Sequence, residues 1–388
     1  MRVSALKKDS PLYVSNDKYI YGVQTYGINN SFPQDVKLIV ANSVTGGECV
    51  DIYGRFISGQ GFLNQVTASL QINKRQTMNE LLKECSKDTA MFGGIGLHFN
   101  YNANYQITSI SIIPFEHIRF KALDDNNKFD KVCIHWDWAR QFRALRQWKK
   151  EDIVEIDLFN PDPVVIQEQV DNAGGWQNYK GQVYYFSNNG YKTYPMPIYQ
   201  AALTDMNTEE GLMVIDNRNT RNRFMIGGAF IEINDENNNT ESDEEFESKE
   251  TDTEKALFEM QGDENACKIM YMQVPNAESV PKFIPFESKN YAEDYDITNK
   301  NVSDRIGRSF MQPPILRAEN VGANFGADLM TNAYKYYNNI TTEERMTISR
   351  IFTEIFKYWK DENIFDIGIV YISELKEPYK EVIEMREY

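Results

Sequence analysis

Residues 288–359 constrain the possible fold of this chain more than any other stretch. The sequence there predicts helices that alternate with a double-proline break and a glycine- and asparagine-rich loop. Apolar residues at helical spacing predict a first amphipathic helix. Proline lacks a backbone donor and disfavours helix at the preceding residue, so Pro313 and Pro314 should end that helix near Met311 or Gln312. The stripe consists of Tyr291, Tyr295, Val302, Ile306 and Phe310.

The break leads into residues 315–326, which predict a loop because they are polar and contain two glycines and two asparagines. About a dozen residues is longer than the usual helix–helix connection, and long loops are often functional. Arg317, Asn320 and Asn324 are the side chains there that can contact phosphate or base edges. A plain connection between helices is the alternative.

Two more helices are expected after this loop, the first over 327–338 and the second opening at a capping box formed by Thr341 and Glu344. One face of the second helix is apolar and must pack against the rest of the protein. It carries Ile348, Ile351, Phe352, Ile355, Phe356 and Trp359.

Residues 31–198 predict an α+β body. A capping box of Ser31 and Gln34 opens a helix interrupted at Gly46-Gly47, and a second box of Thr77 and Glu80 opens another. From Leu97 to Trp138 apolar and polar residues alternate, which predicts an antiparallel sheet. A further strand over 153–158, a turn-rich passage over 161–181 and a strand over 183–186 complete the body.

The middle of the chain predicts a helix over 198–223. This helix should be followed by a strand, an acidic insert at 234–250, a short helix at 253–260 and a second strand at 266–274. A strand at 365–373 and a terminal helix at 376–388 are expected near the end. Hydrophobic residues make up 41% of the chain, which is enough to form a core.

Motifs of catalysis are missing from the sequence. There is no phosphate-binding loop, no HExxH and no GxSxG. Alternation along a strand places His135 and Asp137 on one face and Trp136 and Trp138 on the other, which is more typical of a half-buried strand than of a catalytic pair. We therefore predict no catalytic residue, cofactor or metal site, and no membrane span. The cysteines are expected to be free and mostly buried: Cys49, Cys85, Cys133 and Cys267.

The order of elements around the proline break resembles that of portal proteins of tailed double-stranded DNA bacteriophages. The resemblance rests on SFMQPPIL at 309–316, AYKYYNN at 333–339 and TTEERMTISRIFTEIFKYW at 341–359. A second match is SFPQDVKLIVANSVTGGECVDIYGRFISGQGF at 31–62. In that family the corresponding parts are a stem helix, a proline-containing junction, a tunnel loop facing the DNA channel and crown-side helices.

The resemblance implies an α+β portal fold with a wing, paired stem helices, a small α/β clip, a tunnel loop and a helical crown. The implied division is an arm at 1–30, wing at 31–198, first stem helix at 199–223, clip at 224–282, second stem helix at 283–311, tunnel loop at 312–326 and wing or crown helices at 327–388.

The implied function is a non-enzymatic, dodecameric ring at one capsid vertex, through which double-stranded DNA passes without sequence specificity. Its implied partners are other copies of itself, the major capsid protein, the terminase large subunit and a head–tail adaptor, first in the host cytoplasm and then in the virion. Arg317, Asn320 and Asn324 would face DNA, and the apolar stripe would pack subunits together. The channel lining would include Lys300, Asp304, Arg305 and Arg308.

The net charge of −16, taken alone, argues against any contact with DNA. Between Glu232 and Glu264, however, the sequence contains about fourteen acidic residues and only two lysines. Most of the net negative charge therefore lies in this one segment. A channel in which DNA slides also cannot make many phosphate contacts, because these bind tightly. An acidic cytosolic enzyme with an unrecognised carboxylate or metal site, or another head–tail structural protein, remains the alternative.

Overall fold

The computed structural model describes residues 19–20, 22–27, 29–121, 129–138, 150–189, 193–221, 228–231, 282–285, 291–317, 327–361 and 372–377. The chain divides into two compact units. The first, which we call the body, comprises Met1–Leu203 and Ile306–Tyr388. The second, the inserted unit, comprises Thr204–Arg305.

The body begins with two short strands and a pair of consecutive helices. These are β1 (Tyr19–Ile20), β2 (Val23–Gln24), α1 (Phe32–Asn42) and α2 (Val44–Ser58). The predicted interruption at Gly46-Gly47 is wrong, because the break lies at Ser43, whose side chain accepts a hydrogen bond from the Gly46 amide and caps α2. Ser31 precedes α1 but forms no capping box, since its hydroxyl donates to Asp35 instead.

The next elements carry the chain into the sheet. They are β3 (Gly61–Phe62), α3 (Gln65–Ser69) and α4 (Met78–Phe92). The predicted capping box at the start of α4 is confirmed, with Thr77 and Glu80 bonding each other's backbone amides. Gly93 ends α4 in the left-handed conformation at φ 78°, which glycine adopts without strain.

A six-stranded sheet in the order β5-β4-β9-β8-β7-β6 forms the centre of the body. Its strands are β4 (Gly94–Tyr101), β5 (Ile107–Ile112), β6 (Ile118–Phe120), β7 (Lys131–Ile134), β8 (Val154–Leu158) and β9 (Gln182–Ser187). The neighbouring pairs are antiparallel except β8 and β9, which run parallel. The antiparallel pairing predicted from Leu97 to Trp138 is confirmed by β4 with β5 and by β6 with β7, and the parallel pair lies outside that range. The α+β class is also confirmed.

The parallel pair exists because a helix crosses between its strands. This helix, α5 (Pro163–Asn172), lies in the passage predicted to be turns. Asp162 caps it by accepting from the Val164 amide, and Pro163 occupies the first turn, where a missing donor costs nothing.

The His135–Trp138 stretch also departs from its prediction. Strand β7 ends at Ile134, so alternation does not continue through these residues. His135 and Trp138 are buried and Trp136 is exposed, while the Asp137 amide donates to His135 Nδ1. The two tryptophans thus do not share a face, and the histidine belongs to the interior.

Buried Arg119 fixes the segment before α1 onto the sheet. Its guanidinium donates to the side chain and carbonyl of Asn30 and to the carbonyls of Glu116 and Ile118. The rings of Tyr26 and Trp138 lie 5.3 and 5.5 Å from its central carbon. Residues 23–27 and Asn30 are therefore packed into the body, whereas the sequence suggested an arm through residue 30.

The C-terminal part of the body returns after the inserted unit. It contains α8 (Ala327–Ile340), α9 (Thr342–Phe356) and β12 (Ile372–Ser373), and β12 pairs with β3. The apolar face predicted for α9 is confirmed, since its five side chains from Ile348 to Phe356 are buried, and Trp359, which lies just after the helix end, is buried as well. Thr341 precedes α9 without a capping box, because its hydroxyl donates to the Tyr337 carbonyl.

The inserted unit consists of two long helices and a strand pair. Helix α6 (Leu203–Arg221) leads to β10 (Gly228–Ile231), which pairs antiparallel with β11 (Lys282–Pro285), and α7 (Tyr291–Ser309) follows. The acidic insert, the helix at 253–260, the strand at 266–274 and Cys267 lie outside the described residues, as does most of 365–371 and 376–388. Cys49, Cys85 and Cys133 are free and buried, as predicted.

Candidate functional site

Helices α6 and α7 run antiparallel within the inserted unit. Near the start of α6 and the end of α7, Arg305 donates to Asp205 through Nε at 2.9 Å and Nη2 at 2.6 Å. Tyr295 lies toward the other end, where burial and the carboxylates of Asp216, Asp296 and Glu209 raise its pKa. Each helix has 19 residues, which corresponds to about 28 Å of length.

The apolar part of α6 is only partly covered by the residues that the structure describes. Leu212, Met213, Val214 and Ile215 follow one another, and each is partly exposed. Successive helical residues point about 100° apart, so four in a row cover most of the circumference and cannot all face one partner helix. On α7, Ile297 is 54% exposed. The helix pair therefore presents apolar surface on more than one side.

The stripe predicted to pack subunits together is largely used inside the protomer. Val302, Ile306 and Phe310 are fully buried. They leave no surface for a neighbouring chain, so their assignment to subunit packing is corrected to intramolecular packing. Phe310 stacks on Tyr199 at 4.7 Å between ring centroids. Tyr295 is partly buried, and the side chain of Tyr291 lies outside the described residues.

The residues predicted to line a channel remain on the surface of α7. Lys300, Arg305 and Arg308 are exposed and Asp304 is partly exposed. The ion pair with Asp205 and its hydrogen bonds raise the pKa of the exposed Arg305 guanidinium. Lys300 and Arg308 stand beside acidic residues on the same helix, so this surface carries mixed charge.

Helix α7 ends in a Schellman motif rather than at a glycine. Met311 has φ 54°, its amide bonds the Arg308 carbonyl, and the Gln312 amide bonds the Gly307 carbonyl. Pro313 follows outside the helix and Pro314 begins a 3₁₀ turn to Arg317. The predicted break near Met311 or Gln312 agrees with this geometry.

The end of α7 is tied to two other helices by side chains that the sequence did not single out. Gln312 Nε2 donates to the Cys49 carbonyl of α2 at 2.7 Å and to the Tyr337 hydroxyl of α8 at 2.9 Å. Tyr337 donates in turn to the Phe310 carbonyl at 3.1 Å. A glutamine before two prolines carries no distinctive sequence signal for such a role.

Arg317, predicted to face DNA, is buried. Its guanidinium packs against Gly307 in the last turns of α7, and its Nη1 donates to the Gln312 carbonyl at 3.2 Å. In this position the side chain supports the helix end and is not presented to DNA, which corrects the assignment. Asn320 and Asn324 lie outside the described residues, so their contact with DNA stays a prediction.

The most perturbed carboxylates of the body lie between α1, α4 and the turn before β6. Burial, with Glu116 and Glu84 nearby, raises the pKa of Asp88 to about 8. Burial also raises the pKa of Glu116, but the Lys37 ammonium 2.6 Å away outweighs it and the net pKa is lowered. In the described ranges, no group of three or more His, Cys, Asp or Glu side chains is placed to hold a metal ion.

No family model and no curated protein matches this sequence. Among solved structures, the protein is similar to the neck of a native gene transfer agent (GTA) particle computed with C12 symmetry, with TM-score 0.49, 13% identity and coverage of 92% of this chain and 88% of that chain. The neck of an empty GTA particle computed with C6 symmetry gives TM-score 0.46 and 13% identity, with coverage of 92% of this chain and 88% of that chain.

The protein is also similar to an HK97 family phage portal protein from Corynebacterium diphtheriae, with TM-score 0.34, 8% identity and coverage of 76% of this chain and 81% of that chain. These similarities concern the fold and assign no role to an individual residue. Across the described residues, no helix is long and apolar enough to cross a membrane.

Proposed function

We propose that this chain is the portal protein of a tailed phage or related particle, and that twelve copies form a ring enclosing a channel for double-stranded DNA. The observation that carries the proposal is the incompletely covered apolar turn of α6. Leu212, Met213, Val214 and Ile215 point to most sides of the helix, and among the described residues each is partly exposed. A turn that is apolar on most sides favours neighbours on more than one side, and side-by-side copies supply them.

The contact between copies is heterologous on this proposal. One side of each helix pair meets the opposite side of the next, and such contacts close into a ring when the rotation between copies is a whole fraction of a turn. The channel exists only in the ring, because one chain contributes a single pair of helices to the wall.

The surface of α7 suits a wall along which DNA slides. Lys300 and Arg308 are exposed, but Asp296 and Asp304 stand on the same helix. Phosphate contacts strengthen binding in proportion to their number, so a wall of mixed charge holds DNA weakly and without regard to sequence.

The remaining parts of the proposal concern partners and place. The ring sits at one vertex of the capsid in contact with the major capsid protein, having assembled in the host cytoplasm. The segment between β10 and β11 docks the terminase large subunit during packaging and a head–tail adaptor afterwards. The protein itself performs no catalysis.

Electron microscopy of the purified protein, with sedimentation velocity across salt and protein concentration, tests the proposal. We expect closed rings with a central hole. Met213→Glu should prevent ring formation while leaving the circular dichroism spectrum unchanged, because a partly exposed position tolerates charge in the isolated chain. Ile297→Glu provides a second probe on α7. A monomer at every salt and protein concentration would contradict the proposal and favour the enzyme alternative.

A further inference from the structure

A groove of about 1040 Å³ opens on the body beside α1, α2 and α4, and Leu316, Tyr334 and Leu375 from the C-terminal part of the body also line it. Small residues create it, because Ala41, Gly47 and Gly54 line it and fill little space. Val50 and Phe56 add apolar lining. Leu38 and Val44, the sequence neighbours of the lining residues Lys37 and Ser43, are 62% and 67% exposed.

The rim of the groove is cationic. It carries Lys37, Arg55, Lys83 and Lys87. Lys37 is paired with Glu116 and Arg55 with Asp51. Lys83 and Lys87 are exposed and form no ion pair within the part of the chain that the structure describes. They stand four residues apart on α4, where like charges destabilise a helix slightly.

Helix α5 presents the opposite pattern. Val164, Glu168 and Asp171 lie on one face at helical spacing, and all three are exposed, Val164 by 65%. The helix contains no lysine or arginine, and the exposed cap Asp162 adds a further negative charge. Glu168 and Asp171 form no ion pair among the described residues, and they too are like charges on one helix face.

We infer that α5 of one copy binds in the groove of the next copy, with Glu168 and Asp171 opposite Lys83 and Lys87 and Val164 against the apolar lining. This inference rests on the ring proposed above and names one of its contact surfaces. In this arrangement the two exposed lysines of one copy meet the two exposed carboxylates of the next, so the contact is complementary in charge. A ten-residue helix is about 15 Å long and α2, which lines the groove, is about 22 Å long, so the lengths are compatible.

Charge exchange gives a direct test. Lys83→Glu with Lys87→Glu should weaken assembly at least about tenfold in sedimentation velocity, and Glu168→Lys with Asp171→Lys should do the same. All four substitutions in one chain should restore assembly, because the complementarity is re-established with its sign reversed. The control is Lys74→Glu with Arg75→Glu, which changes the net charge equally at exposed positions outside the groove and should assemble like the unaltered protein.

Cross-linking supplies a second measurement. A carbodiimide joins amines to carboxylates that are in contact, and assembly from a mixture of ¹⁴N and ¹⁵N chains marks links between copies by mass. We expect mixed-isotope links between the Lys83–Lys87 peptide and the peptide carrying Glu168 and Asp171. Rings that tolerate both charge reversals and lack these links would overturn this inference while leaving the ring intact. An unaltered protein that never forms rings would overturn the proposed function as well.

Discussion

The guanidinium of Arg317 packs directly against the α-carbon of Gly307, so that a β-carbon at position 307 would overlap the guanidinium nitrogens. Gly307 lies in α7, where alanine is intrinsically favoured over glycine by about 1 kcal/mol. We nevertheless expect Gly307→Ala to lower the free energy of unfolding by about 1 to 3 kcal/mol, because the added methyl group displaces Arg317. Chemical denaturation measures this change.

The matched control is Gly54→Ala in α2, whose added β-carbon would meet Ala90 at an ordinary 3.5 Å and should be neutral or stabilising. The double variant Gly307→Ala with Arg317→Ala should be more stable than the sum of the single effects, since one change removes the obstacle that the other meets. Additive losses would show that the two side chains are not in contact.

Replacing Met311 by glycine should stabilise the protein, whereas the same change at a methionine inside a helix destabilises it. Its φ of 54° is unfavourable for a residue with a β-carbon by about 1 to 2 kcal/mol, and its side chain is 52% exposed. Met311→Gly is expected to stabilise the protein by up to about 1 kcal/mol, and Met311→Val to destabilise it by about 1 to 2 kcal/mol. In exposed Met346 of α9, the same change to glycine should cost about 1 kcal/mol. Equal losses at both positions would argue against the left-handed helix end.

Asp88 should make the stability of the protein depend on pH. Its pKa is about 8 in the folded protein and about 3.9 in an unfolded chain, so the folded state binds more protons between these values. Stability is therefore lost through this group as the pH rises from about 4 to about 8. Asp88→Asn should raise the free energy of unfolding by about 2 kcal/mol at pH 8 and by much less at pH 5, as measured by urea denaturation at both values.

Asp51→Asn is the control for this experiment, because Asp51 is exposed and its ion pair with Arg55 on the helix surface contributes little. Its effect should stay within about 0.5 kcal/mol at both pH values. If Asp88→Asn changed stability equally at pH 5 and pH 8, the buried carboxyl would not be the titrating group.

Replacing Arg119 even by lysine should destabilise the protein. Its guanidinium makes several hydrogen bonds, chiefly to backbone carbonyls and Asn30, and a lysine ammonium cannot reproduce the planar arrangement. We expect Arg119→Lys to cost about 2 to 4 kcal/mol and to expose residues 22–30 to proteolysis. Exposed Arg55 changed to lysine should cost less than about 0.5 kcal/mol. Unaltered proteolysis of the Arg119 variant would mean that this side chain does not hold the segment.

Local chemistry predicted several helix ends in this protein. The capping box of Thr77 and Glu80 depends only on residues three apart, and the structure forms it. The apolar face of α9 could also be predicted from the sequence, because its apolar residues recur with the period of a helix. The two prolines predicted where α7 ends, but not the left-handed conformation of Met311, since methionine is not typical of that conformation.

Long-range contacts account for most of what the sequence did not show. An arginine in a glycine-rich stretch suggests a phosphate contact, and only the fold reveals that Arg317 meets Gly307 ten positions earlier. The spacing of Val302, Ile306 and Phe310 predicts that these residues are buried. It does not indicate whether their own chain or a neighbouring chain covers them. Similarly, the alternation through His135 could not show that β7 stops at Ile134, where its pairing with β8 ends at Val154.

Pairing between β3 and β12 joins Phe62 to Ile372 and Gly61 to Ser373, positions that lie far apart along the chain. This pairing can form only after Ile372 has been made, roughly 15 to 60 s after Phe62 at synthesis rates of about 5 to 20 residues per second. Residues 204–305 emerge well before then. On a newly made chain, β3 therefore stays without its β12 partner until the inserted unit has left the ribosome.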